Sequence, residues 1–207
     1  MTRLLILVPL LLATHAAAEP RVPDSAAMYR RMVEQAVSDY WGVEGSSALL
    51  AAQLHQESTW RPKARSIAGA MGMAQFMPTT AEWIATQFPE QLGQFDPWDP
   101  AQAIRAAAVY DRFLYDAVLD AAGECDHWAF ALSAYNGGLG WVKRDRNRAS
   151  ATGADPARWF GHVEWAADPR RAAANIRQNR DYVRRILLVL QPLYVAAGWP
   201  GPQVCAS

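Results

Sequence analysis

The chain has 207 residues, of which 51% are hydrophobic and nine are tryptophan. This length suits one domain with a sizeable core, and the apolar content excludes a disordered chain. Twenty basic residues balance twenty acidic ones, so the net charge gives no reason to expect binding to nucleic acid. The basic residues concentrate in 143–185, where both a solvated helix surface and a face toward an anionic polymer fit the pattern.

Residues 1–18 have the form of a cleavable secretory signal. Arg3 precedes an apolar run from Leu4 to Leu12, and a small-residue tail ends at Ala18. The run is shorter than the roughly 20 residues that span a bilayer. We therefore expect export to the periplasm or cell envelope with no membrane span, and a retained anchor is the alternative.

Apolar residues recur at helical spacing through most of the remaining chain, which predicts a mainly helical protein. The predicted helices are 26–41, 46–56, 78–87, 101–121, 126–135, 156–165 and 180–197. Asp99 and Pro100 are typical of a helix start, as N-cap and first helical residue. The stretch 60–77 contains Gly69 and Gly72 and no long helical period, so it predicts a short hairpin or an ordered loop.

Cys125 and Cys205 are the two cysteines of the chain. In an oxidising exported setting they could form a disulfide, and two free thiols are the alternative. His55, His127 and His162 stand apart without metal-ligand spacing, so we expect no metal site and no cofactor.

The apolar segment from Ala48 to Ser58 ends by presenting the carboxylate of Glu57 just before the irregular stretch. A glutamate in such a place is usually a surface residue. Four motifs, at Glu57 and further along the chain, indicate another role for this glutamate. The four relevant motifs are Gln56-Glu57-Ser58, Ser66 through Pro78, Ala134-Tyr135-Asn136-Gly137-Gly138, and Tyr182-Val183.

In order and spacing, these four motifs resemble the family 1 lytic transglycosylases, whose catalytic SLT domain belongs to the lysozyme-like superfamily. The resemblance covers roughly residues 46 to 190. It implies a single lysozyme-like domain, which we place at 46–197, after a helical extension at 19–45 and before a C-terminal tail at 198–207.

The family cleaves the β-1,4 bond between N-acetylmuramic acid and N-acetylglucosamine, so the resemblance implies peptidoglycan glycan strands as the substrate. It implies that Glu57 protonates the leaving oxygen, then removes the proton of the muramic acid C6 hydroxyl, which closes a 1,6-anhydro ring. Burial against apolar groups would keep the proton on Glu57 at neutral pH. No second acid stands out in the sequence, and this mechanism needs only one.

The resemblance also implies side chains that bind the substrate: Ser66, Met73, Gln75, Met77, Tyr135, Asn136, Gln178 and Tyr182. Ser66 and Gln75 would hydrogen-bond sugar and acetamido groups, Tyr135 would offer a ring face, and Asn136 fits a structural role equally well. Gln178 stands where the family usually has a glutamate, so the peptide-stem or sugar preference is expected to differ.

Two rival functions stay open at this point. A hydrolytic lysozyme or endolysin would use the same fold and acid to activate water, and a non-catalytic wall-binding assembly factor would keep only the cleft. The biological setting is equally open between wall recycling, an envelope secretion or conjugation machine, and a prophage. Cleavage at strand ends and cleavage within strands both fit the sequence.

Overall fold

The structure is a computed structural model that describes residues 21–205, so the predicted signal at 1–18 lies outside the described residues. The described residues are 63% helical with almost no strand, which confirms the predicted class. The α-helices of the described part are α1 (Ala26–Trp41), α2 (Ser47–Ser58), α3 (Pro78–Gln87), α4 (Pro89–Leu92), α5 (Pro100–Asp116), α6 (Glu124–Gly137), α7 (Leu139–Ala151), α8 (Ala173–Arg185) and α9 (Gln191–Ala196). A π-helical turn at Ile186–Leu190 joins the last two.

Helix α2 forms the centre of the core and is buried along nearly its whole length. It packs against α1, α5, α9 and the π-helical turn. Its start is capped by the side chain of Ser46, which accepts a hydrogen bond from the backbone N–H of Leu49. Helix α2 ends where Thr59 and Trp60 adopt left-handed backbone conformations. The chain therefore turns sharply just after Glu57.

An aromatic cluster fixes that turn. The indole N–H of Trp60 donates to the Tyr194 hydroxyl at 2.6 Å, and both side chains are buried. Trp199 packs on both rings, with ring centroids 5.8 Å from Trp60 and 5.2 Å from Tyr194. The C-terminal end of α2 is thus held by α9 and the segment after it.

The stretch between α2 and α3 is an ordered loop, which confirms the prediction. Two isolated antiparallel bridges, Arg65 with Met71 and Met71 with Phe76, close it on itself. Gly72 has a φ of +73°, and a Cβ atom there would lie 1.7 Å from the carbonyl oxygen of Pro97. Only glycine therefore lets this loop approach the segment before α5.

The predicted start of α5 is confirmed, since Asp99 accepts a hydrogen bond from the backbone N–H of Gln102 and Pro100 is the first helical residue. The predicted extension of this helix to residue 121 is wrong. The helix ends at Asp116, and Asp120 has a φ of +58° that breaks any continuation.

Two other predicted helices need correction. Residues 156–165 are mostly turns, because Gly161 has a φ of +77° and the Asp155 side chain accepts the backbone N–H of Ala157. Helix α7 was not predicted, since its buried stripe includes the charged Asp145. The predicted helix 180–197 starts too late, because the first turns of α8 are largely exposed and carry no buried apolar stripe.

Cys125 and Cys205 form a disulfide, with Cα atoms 4.7 Å apart, which decides between the two alternatives. The bridge closes a sequence separation of 80 residues. Between residues 21 and 205, no helix is both long and apolar enough to cross a membrane.

Candidate active site

A cleft of about 610 Å³ opens where the C-terminal end of α2 meets the loop before α3 and the inner faces of α6 and α8. Most of the predicted site residues meet there. They are Glu57, Ser66, Gln75, Met77, Tyr135, Asn136, Gln178 and Tyr182. Residues more than 100 positions apart in the sequence thus share one wall of the cleft.

Met73 is the exception. Its side chain has no exposed surface and does not line the cleft, so the prediction that it contacts substrate is wrong. The tight loop around Gly72 turns this side chain into the core, beside the buried Ala74. Phe76 is buried as well, although it contributes to the lining of the cleft.

Glu57 lies on the last turn of α2 and is partly buried in the cleft wall. Its Oε1 atom accepts a hydrogen bond from the hydroxyl of Tyr182 at 2.6 Å. Tyr182 is itself buried, and it lies on α8, which packs against α6. The bond therefore fixes the carboxyl group and leaves its Oε2 atom to carry a transferable proton.

Burial raises the pKa of Glu57 to about 8. The hydrogen bond from Tyr182 lowers this pKa, and the nearby carboxylate of Asp111 raises it further. At neutral pH the carboxyl group therefore holds a proton that it can give to a bound group, and it can become a base once that proton has left.

A second buried carboxyl group lies behind Glu57. Asp111 on α5 accepts a hydrogen bond from the side-chain amide of Gln53 at 3.0 Å, and Gln53 lies one helical turn before Glu57. Burial raises the pKa of Asp111 to about 8. Asp111 does not line the cleft, so it influences Glu57 from behind, through the negative charge that it acquires when it loses its proton.

Gln75 and Ser66 hold the loop that forms one edge of the cleft. The Gln75 amide donates to the carbonyl oxygens of Gly72 and Ala64, at 2.7 and 3.2 Å. The Ser66 hydroxyl accepts the backbone N–H of Ala70 at 2.9 Å. Both side chains also line the cleft. The remaining acceptor of Gln75 and the hydroxyl proton of Ser66 are available to a ligand.

Two side chains of α6 face the cleft from the other side. The Tyr135 hydroxyl donates to the carbonyl oxygen of Ala74, which joins α6 to the loop. The side-chain oxygen of Asn136 accepts from the amide of Asn179, which is buried and also bonds Ser133. Asn136 is therefore oriented by α8, a contact that the sequence does not reveal.

The cleft also contains residues that the sequence did not single out. On α8, Asp181 and Arg185 are exposed and line the cleft together with Gln178 and Tyr182. These four positions share one face of a helix, because they are three, four and seven residues apart. Had the helix been predicted to begin at residue 173, this spacing would have identified them. Across the part of the chain that the structure covers, no group of three or more acidic, histidine or cysteine side chains is arranged to hold a metal ion.

This architecture defines a lysozyme-like helical domain with a glutamate-lined cleft, and similarity to known proteins agrees. The family model described as the transglycosylase SLT domain matches residues 37–157. The chain therefore belongs to the transglycosylase SLT domain family.

Three known proteins illustrate the similarity. The membrane-bound lytic murein transglycosylase F of Maricaulis maris is 36% identical over 139 residues, which are 67% of this chain and 28% of that protein. The protein of the same name in Marinobacter nauticus is 32% identical over 177 residues, covering 81% of this chain and 32% of that one. The crystal structure of the 70 kDa soluble lytic transglycosylase of Escherichia coli matches with a TM-score of 0.57 at 24% identity. That match covers 84% of this chain and 26% of the other. The chain thus spans about a third or less of these relatives.

Proposed function

We propose that the chain is a peptidoglycan lytic transglycosylase that cleaves the β-1,4 bond between N-acetylmuramic acid and N-acetylglucosamine. The observation that carries the proposal is the carboxyl group of Glu57, which lies in the cleft wall with a pKa raised to about 8 by burial. The curated relatives that it resembles are named lytic murein transglycosylases, which supports the same substrate class.

The reaction needs one group that acts first as an acid and then as a base. The protonated Glu57 gives its proton to the glycosidic oxygen as the bond from that oxygen to C1 of muramic acid breaks. The resulting carboxylate takes the proton of the C6 hydroxyl, whose oxygen bonds to C1 and closes the 1,6-anhydro ring. Glu57 ends protonated, so the cycle balances without water. The hydroxyl of Tyr182 stabilises the carboxylate between the two steps.

The polar groups around Glu57 suit a saccharide. Ser66, Gln75 and Asn136 offer hydrogen-bonding groups, while Tyr135 and Met77 offer apolar surface. We propose that these residues and Gln178 orient the sugar rings and acetamido groups. Gln178 is exposed on the α8 face of the cleft and carries no charge, so it contributes hydrogen bonds only.

One observation favours hydrolysis as a second candidate. Asp181 is an exposed carboxylate on the cleft wall, and a second carboxylate is what a hydrolytic glycosidase uses to activate water. Digestion of purified sacculi followed by mass analysis of the products separates the two reactions. We expect 1,6-anhydro ends with the wild type and with Asp181→Asn, and none with Glu57→Gln. Products that carry only reducing ends would indicate hydrolysis in place of the proposed reaction. Full activity of Glu57→Gln would contradict both candidate reactions.

The proposed substrate lies in the cell envelope, so we propose that the chain acts there after export. This fits the relatives, two of which are named as membrane-bound. The predicted signal at residues 1–18 is tested by N-terminal sequencing of the protein recovered from the envelope fraction. The expected first residue is Glu19, and recovery of the chain starting at Met1 would contradict cleavage.

A further inference from the structure

A second groove of about 400 Å³ lies beside the cleft. Its lining comes from α3, α5 and the first residue of α7, Leu139, and it includes the aromatic trio Trp83, Tyr110 and Phe113. Thr80 and Tyr110 line both the groove and the cleft. The two depressions are therefore continuous along one surface of the molecule.

Trp83 is 38% exposed, which is unusual for a side chain of this size in a well-packed domain. Its ring is nevertheless held firmly, with centroids 5.1 Å from Phe113 and 6.1 Å from Tyr110. Phe88 supports it from a third side at 6.4 Å. A ligand that lies on this ring therefore meets a preorganised apolar face, whose fixed position costs little further entropy.

The lining of the groove selects among possible ligands. None of its side chains carries a charge, whereas Asp181 and Arg185 line the neighbouring cleft. The polar groups of its rim are the hydroxyls of Thr79 and Thr80. A sugar ring matches this combination, because it has apolar C–H faces that stack on an aromatic ring and hydroxyls at its edge. A charged peptide stem does not match it.

We propose that this aromatic groove binds additional sugar rings of the same glycan strand, beyond those in the cleft, with Trp83 as the stacking platform. The inference rests on the proposed function, in that a β-1,4-linked glycan occupies the cleft. It follows from continuity, because a polymer that passes Thr80 and Tyr110 in the cleft reaches the groove next. The groove would then favour long strands over short ones.

The test measures binding as a function of strand length. Glu57→Gln is used to prevent cleavage, and β-1,4-linked N-acetylglucosamine oligomers of two to eight rings are titrated by calorimetry. We expect affinity to rise with length beyond the rings that fill the cleft. Trp83→Ala in the same background should remove that rise and weaken the longest oligomer by about three- to tenfold, while the shortest bound oligomer keeps its affinity.

Two control variants separate stacking from folding. Trp83→Phe keeps an aromatic ring and should retain part of the length dependence. Trp165→Ala removes another exposed tryptophan that lines neither depression, and should retain all of it. Thermal unfolding of each variant checks that the fold is intact. Equal weakening of short and long oligomers by Trp83→Ala, no weakening at all, or no binding of long oligomers would overturn the proposal.

The outcome is independent of the cleavage test. Wild-type protein that produces no 1,6-anhydro ends would defeat the proposed reaction, yet the calorimetry would still report whether Trp83 adds sugar binding. Conversely, anhydro products together with length-independent binding would keep the reaction and defeat the groove.

Discussion

The hydroxyl of Tyr182 and the Oε1 atom of Glu57 are joined by a 2.6 Å hydrogen bond across 125 positions of sequence. This hydrogen bond and burial have opposite effects on the pKa of Glu57. A donated hydrogen bond favours the carboxylate and lowers the pKa, whereas an apolar surrounding favours the neutral acid and raises it. Burial is the larger effect, and the pKa of Glu57 lies near 8. Burial thus keeps Glu57 protonated at neutral pH, while Tyr182 provides a hydrogen-bond donor for the carboxylate that forms when the proton leaves.

Tyr182→Phe tests this balance. The wild type should lose activity as pH rises through about 8, because Glu57 must be protonated to act as an acid. Removal of the hydroxyl raises the pKa of Glu57 further, so this alkaline limb should move up by about one pH unit. The kcat should fall, since the carboxylate that takes the C6 proton has lost its hydrogen bond. The measurement is the pH profile of kcat and kcat/KM, and an unchanged limb would contradict the assigned role.

The sequence was sufficient to place Glu57, Ser66, Gln75, Tyr135 and Tyr182 at one site, because their motifs carry a family resemblance. It was also sufficient for α1, whose apolar residues repeat at helical spacing. Local pattern does not encode which face of a polar helix meets a cleft. For that reason the roles of the later helices were harder to predict than those of the early ones.

The site residues that the sequence did not reveal were missed for different physical reasons. Asp181 and Arg185 are charged and exposed, so their hydropathy resembles that of any solvated helix face. Asp111 was missed for the opposite reason: its carboxyl group is buried and paired only with Gln53, a contact between positions 58 residues apart. Met73 was wrongly predicted to line the cleft. It follows Gly72, whose backbone has a positive φ, and its side chain is buried in the core.

Asp111→Asn is expected to change how stability depends on pH. Burial raises the pKa of Asp111 from its ordinary 3.8 to about 8 in the folded protein, so folding favours the protonated form. The stabilisation is complete below the ordinary pKa and is lost as pH rises toward about 8. The variant lacks this loss, so its stability relative to the wild type should increase between pH 4 and pH 8 by on the order of 5 kcal/mol.

Denaturant unfolding at pH 4, 6 and 8 measures the effect. The matched control is Asp116→Asn, which removes an exposed carboxylate from the same helix and should leave the pH dependence unchanged. In activity assays, Asp111→Asn should also shift the alkaline limb to lower pH, since the Asp111 charge raises the pKa of Glu57. Parallel pH profiles for wild type and variant would show that Asp111 does not titrate in this range.

Gly72→Ala should disrupt the loop that carries Gln75. The added Cβ atom would lie 1.7 Å from the Pro97 carbonyl oxygen, and the backbone there has a positive φ. We expect a loss of at least about 3 kcal/mol of stability and a large drop in kcat/KM. Gly69→Ala is the control, because its Cβ would meet nothing within 4 Å, so only the positive φ costs about 1 to 2 kcal/mol. Similar unfolding midpoints for the two variants would contradict the role of the close approach.

The disulfide should govern stability without governing activity. Neither Cys125 nor Cys205 lines the cleft, and their bridge restrains a sequence separation of 80 residues in the unfolded chain. The chain-entropy model gives a stabilisation of about 4 to 5 kcal/mol for such a loop. A Cys125→Ser, Cys205→Ser double variant should therefore unfold at lower denaturant concentration, yet keep the wild-type kcat under conditions where it is folded. Reductant should lower the midpoint of the wild type to that of the variant and leave the variant unchanged. A wild-type midpoint that does not respond to reductant, once loss of the bridge has been verified by thiol titration, would show that the bridge adds no stability.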